Sequence, residues 1–139
     1  MALVINRTLK EGASTACFEV VNDGAGEAST SIIDVAALSG AGSLDNHEVL
    51  ITRVIASVAT SDATVSPLVT LSWGDGTEFL HLGSGETDLN ISFQTPNDAG
   101  GGDADVTVTA AADVFFTLRI FTSKMIGYPL SMGHGQHRP

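Results

Sequence analysis

The chain has 139 residues with 6 Lys+Arg against 16 Asp+Glu, a formal net charge of −10. That length suits one domain with a real core, and 43% hydrophobic residues with only 16% charge exclude a disordered solvating chain. The acidic excess repels phosphate and argues against a broad nucleic-acid or anionic-membrane face. The single cysteine, Cys17, excludes an internal disulfide and a cysteine-built zinc site.

The N-terminus, Met1-Ala2-Leu3-Val4-Ile5-Asn6-Arg7, carries its basic residue after a very short apolar run, the reverse of a signal peptide. No apolar stretch approaches the roughly 18 residues of a membrane span; Val114 to Phe121 is interrupted by Thr117 and Arg119. These features predict a protein made in a cytoplasm and not exported by that route.

Apolar runs alternate at period two, the strand signature. In chain order they predict strands over 2–5, 15–21, 30–36, 48–58, 66–73, 78–82, 86–93, 104–110 and 114–122. Over 48–58 the pattern fits helix or strand, and the adjacent β-branched Val54 and Ile55 favour strand. Thr87, Leu89, Ile91 and Phe93 share one face, as do Val114, Phe116, Leu118 and Ile120. Cys17 falls on a face with Thr15 and Glu19. Turn clusters such as Asn22-Asp23-Gly24, Gly40-Ala41-Gly42, Gly74-Asp75-Gly76, Gly83-Ser84-Gly85 and Pro96-Asn97-Asp98 separate the runs.

This spacing predicts an all-β chain folded as a single antiparallel β-sandwich, jelly-roll or Ig-like, and it does not choose between the two. One domain covers 1–139, with a core over about 12–122, an N-terminal arm over 1–11 and a C-terminal arm over 123–139. Little Lys or Pro sits on the strands to blunt exposed edges, which predicts edges covered by another subunit. Ile5, Arg7 and Lys10 in the first arm, with Met125, Ile126, Tyr128, Leu130 and Met132 in the second, form the candidate partner interface. The alternative is that the tail packs back on its own sandwich.

No catalytic, cofactor or metal site is predicted. His47 and His81 stand apart without the HxH spacing of a cupin-type site. His134 and His137 lie in a Gly-rich tail. Asn97, Asp98, Asp103 and Asp105 cluster without the spacing of an EF-hand, and turn capping accounts for them. There is no G-x-S-x-G, and Cys17 has no evident base. Gly-rich 40–43 and 100–102 lack the Lys-Thr/Ser of a phosphate loop. Trp73, at a strand end, is either a sugar-stacking platform or a core-edge residue.

The order Val21-Asn22-Asp23-Gly24-Ala25-Gly26-Glu27, Ile33-Asp34-Val35, Leu71-Ser72-Trp73-Gly74-Asp75-Gly76-Thr77 resembles small virion proteins of tailed bacteriophages. The resemblance continues through Leu82-Gly83-Ser84-Gly85-Glu86-Thr87-Asp88 and Phe93 to Gly100, and ends at Phe116-Thr117-Leu118-Arg119-Ile120. It spans roughly residues 15–122. What is shared is a style of short strands, small residues and Gly-Asp turns rather than a defined motif, so no functional residue is carried over. The resemblance implies a non-enzymatic head decoration (cement) protein on the outer surface of a phage capsid, bound to the major capsid protein. It further implies a homo-oligomer, a trimer ahead of a dimer, because such proteins sit on local symmetry axes. The charge agrees with this, since −10 is poorly placed against packaged DNA. The rival readings are a neck or tail structural protein of the same virion class and a carbohydrate-binding or adhesin sandwich.

Overall fold

The computed structural model describes residues 3–12, 14–38, 48–94 and 105–125. Among them nine strands follow in chain order: β1 (Leu3–Glu11), β2 (Thr15–Asn22), β3 (Glu27–Ile33), β4 (Val49–Thr60), β5 (Val69–Trp73), β6 (Glu78–Leu82), β7 (Gly85–Gln94), β8 (Val106–Ala110) and β9 (Val114–Lys124). They form two packed sheets in which every neighbouring pair is antiparallel, β1-β2-β9-β4-β7 and β3-β8-β5-β6. The expected all-β sandwich is therefore the observed one. From β2 onward the chain changes sheet at every connection except the β5–β6 hairpin. That winding is a jelly-roll order rather than an immunoglobulin one, with β1 added outside β2 as an extra edge strand.

The period-two pattern places the core. In β9, Val114, Phe116, Leu118 and Ile120 are at most 1% exposed, while Phe115, Thr117 and Arg119 point away from it. Val20, Val54, Leu71 and Val108 fill the space from four other strands. Burying such side chains is the main drive for the fold. The turns are made as their residues dictate. Asn22 Oδ1 accepts the Gly24 N–H at 2.7 Å, and Gly24 adopts φ +90°, where a Cβ would also lie 2.5 Å from the Phe115 ring. Asp75 Oδ1 accepts the Thr77 N–H at 2.8 Å in the β5–β6 hairpin.

Three strands depart most from the sequence reading. Residues 3–11, expected as a short strand and an arm, form one edge strand along β2. Register shifts between Leu3 and Ile5 and between Thr8 and Lys10 break the alternation that would have marked it. Strand 30–36 instead begins at Glu27, through a bulge with Ser29 at φ 49°, and ends before a 3-10 turn, Val35–Ala37. There Asp105 Oδ1 accepts the Val35 N–H at 2.9 Å. Strand 66–73 starts only at Val69, because Pro67 has no N–H to give a ladder.

The two sides of the sandwich are unequal. On one side Asn6 Nδ2 reaches from β1 to the Ser31 carbonyl at 3.4 Å. On the other, Trp73 stacks on Phe79 (3.9 Å, 17°), and Phe79 meets Phe93 edge-on at 5.6 Å. Leu80, Leu89, Ile91 and Phe93 stay half-buried there, between the edge strands β6 and β7.

The burial pattern sets a stability contrast. Phe116→Ala should lower the unfolding free energy by about 3–5 kcal/mol in urea titrations. Leu9→Ala, at a 39% exposed position, should change it by no more than about 0.5 kcal/mol.

Candidate interaction surface

The outward face of the five-stranded sheet is where the functional candidates gather. Its strand registers align residues into three rows. One runs Ile5, Val21, Thr117, Ser57, Glu86, and the next runs Arg7, Glu19, Arg119, Ile55, Asp88. The third runs Lys10, Cys17, Phe121, Arg53, Asn90. Apolar and charged side chains thus alternate across one open sheet.

The charges on this face are bonded to one another. Arg7 donates through Nε and Nη2 to Glu19 Oε1 at 3.0 and 2.7 Å. Arg119 Nη2 meets the other oxygen of Glu19 at 3.4 Å. Arg53 grips Asp88 with two bonds, 2.9 and 2.6 Å, and lies 5.6 Å from the centre of the Phe121 ring. Four of the chain's six Lys and Arg residues, Arg7, Lys10, Arg53 and Arg119, lie here beside three carboxylates, Glu19, Glu86 and Asp88. A chain of net charge −10 therefore has one broad face that is close to neutral. A shallow hollow of about 310 Å³ opens on it near β7, lined in part by Ile55, Ser57, Glu86 and Asp88.

Of the sequence-predicted interface, Ile5, Arg7 and Lys10 fall on this same face of β1. Met125 follows β9, is half-buried, and donates its N–H to the Glu48 carbonyl at 3.0 Å. Just before it, the buried Lys124 ammonium bonds Glu11 Oε2 at 2.7 Å and the Gly12 carbonyl at 2.8 Å. The root of the C-terminal segment is thereby pinned at the Lys10 end of β1. Ile126, Tyr128, Leu130 and Met132 lie outside the described residues, as do His47, His134, His137, Asn97, Asp98, Asp103 and the Gly-rich 40–43 and 100–102.

The other residues singled out have structural roles here. Trp73 is 8% exposed and its ring is covered by Phe79, so it offers no open plane for a sugar. Cys17 is half-buried on the outward face, and burial pushes its thiol above the ordinary value, which leaves it a weak nucleophile. His81 is held between Thr70 Oγ1 at 3.2 Å and Glu78 Oε1 at 3.3 Å. Asp105 supports the Val35 turn. Sequence reading missed Glu19, Arg53, Asp88 and Arg119, because what makes them a group is register across strands up to 100 residues apart.

The chain matches no protein-family model, no curated protein and no solved structure. The surface therefore has to be read from its own chemistry.

The ion pairs fix the sign of a pH effect. The Arg7 hydrogen bond, helped by Arg7 and Arg119 charge, holds Glu19 below its ordinary 4.5, and Arg53 does the same for Asp88. A carboxylate held low in the fold adds stability above its unfolded value and loses it as pH falls through the folded one. In an NMR titration of side-chain carboxyls, Glu19 should titrate below 4.5 and Asp88 below 3.8, and Arg7→Ala should move the Glu19 midpoint up toward 4.5. An unmoved midpoint would mean that the pair does not persist in solution.

Proposed function

We propose that this protein is a virion structural component, a head decoration protein that binds the outer surface of a phage capsid as a homo-oligomer. The observation that carries the reading is the near-neutral face with Ile5, Arg7 and Lys10 along its edge strand. An acidic protein repels its neighbours everywhere else, so a protein contact is best made through a face where cations cancel the carboxylates. An edge strand adds main-chain hydrogen bonds to whatever strand it meets. Repetition over a lattice multiplies weak contacts, since each oligomer touches several capsid subunits at once. The role is passive: docking adds interface that must be lost before capsid subunits separate under internal DNA pressure. In this reading the C-terminal residues Ile126, Tyr128, Leu130 and Met132 supply apolar anchors, launched from the Lys124–Glu11 clamp beside Lys10.

Two measurements test it. Truncation after Met125 keeps the described sheet intact, and it should abolish co-sedimentation with capsids while leaving the far-UV CD spectrum unchanged. Normal decoration by the truncated protein would remove the tail from the mechanism. Copy number per particle, by quantitative mass spectrometry against the major shell protein, should be comparable to that of the shell protein. A count matching a single ring would move the protein to the neck or tail, and absence from particles would overturn the virion reading.

A further inference from the structure

We infer that copies of this protein join edge to edge, β1 of one copy seated along β7 of the next, so that their five-stranded sheets run on from subunit to subunit. β1 and β7 are the two edges of that sheet. Four successive antiparallel pairings separate them, so they run in the same direction. A rotation axis roughly along the strands then brings β7 of one copy beside β1 of another as a parallel pair. Parallel pairing is the slightly weaker kind, which leaves the flanking side chains to decide the seam.

Those side chains are complementary. The β7 edge carries Glu86 and Asp88 on its outward face, and beneath them lie the half-buried Leu89, Ile91 and Phe93. The β1 edge carries Arg7 and Lys10 on its outward face, with half-buried Ile5 and exposed Leu9. The rows across the sheet set their heights: Arg7 is level with Asp88, Ile5 with Glu86, and Lys10 with Asn90. An incoming Arg7 therefore arrives level with Asp88, whose side chain lines the 310 Å³ hollow together with Glu86. Lys10 and Glu86 make no ion pair among the described residues.

The backbone also allows it. Gly85 to Asn90 of β7 pair with β4 without a register shift, and β7 holds neither Pro nor Lys to block addition. On β1, Ile5 to Thr8 form the regular stretch between the two shifts. The symmetric alternatives fit worse. A β7–β7 seam gathers four carboxylates from Glu86 and Asp88, and a β1–β1 seam gathers four cations from Arg7 and Lys10. Because the favoured seam joins unlike edges, it is heterologous, and it repeats into a ring where the rotation closes.

This deepens the homo-oligomer of the proposed function and rests on that part of it, but it is tested apart from capsids. Sedimentation velocity on the full chain should show a concentration-dependent oligomer for the natural sequence. Lys10→Glu and Glu86→Lys should each weaken it by about tenfold in dissociation constant, since the first sets a carboxylate diagonal to Asp88 across the seam and the second an ammonium diagonal to Arg7. The two positions lie two rows apart, so the double variant should lose at least as much affinity as either single one. Both side chains are exposed and unpaired among the described residues, so unfolding midpoints should not move. A monomer at all concentrations, or an oligomer that either reversal leaves unchanged or tightens, would each overturn the seam. A seam-positive protein that fails to bind capsids would overturn the decoration reading alone, and capsid binding by a monomer would overturn the seam alone.

Discussion

The position of β9 between β2 and β4 is the constraint on which the rest of the molecule depends. It pairs with β4 from Val49–Lys124 to Thr60–Val114, with one register shift between Ile51 and Arg53, and with β2 from Thr15–Ser123 to Val21–Thr117. This closes the jelly roll by setting the last strand beside nearly the first. It also supplies the largest fully buried side chain, Phe116, to the core. Such closure has to wait until distant chain segments meet, so its entropy cost is offset late, when both sheets bury their inner faces together. The contacts at the centre of the outward face follow from it. Glu19 touches Arg119 only because β9 lies against β2, and Arg53 reaches Phe121 only because it lies against β4.

The cations are few and unevenly placed. Exposed ion pairs such as Arg7–Glu19 and Arg53–Asp88 contribute little to folding stability, so stability does not explain why four of six basic residues share one sheet face. Association does. A net charge of −10 keeps molecules apart in solution and leaves a close approach favourable where the field is cancelled. The same face keeps Ile55, Val21 and Phe121 half-buried among the charges. That mixture of apolar patches with paired charges suits a protein partner better than a small ligand.

The strands were legible because each buries one face, and burial at period two needs no knowledge of partners. Val114 to Ile120 and Thr87 to Phe93 show this directly. Where the period fails, the reading failed with it. The register shifts in β1 hid a nine-residue strand behind a four-residue apolar run, and the bulge at Ser29 hid the start of β3. Cys17 fell on the outward face as its alternation with Thr15 and Glu19 required, and Ile5, Arg7 and Lys10 were marked by composition alone. Topology was not legible, because jelly-roll and immunoglobulin windings use the same strands. Nor was the Glu19–Arg119 contact, since nothing local in either strand states which neighbour it will have.

The mismatch between the sheets, five strands against four, bears on function. The extra strand is β1, and it extends the sheet on the side where Asn6 ties it to β3. At the far side β7 lies over the β6 edge, with Leu80, Leu89 and Ile91 incompletely covered. A jelly roll serves capsid proteins and lectins alike, so the winding alone assigns no role. A lectin uses aromatic planes and polar side chains open to solvent, whereas here Trp73 is closed against Phe79. What the sheet ends on instead, among the described residues, is backbone edge. One edge is basic with the exposed Leu9 and half-buried Ile5, and the other is acidic with half-covered apolar side chains. In the proposed function these two unlike edges serve assembly by repetition, the property that a component spread over a shell requires.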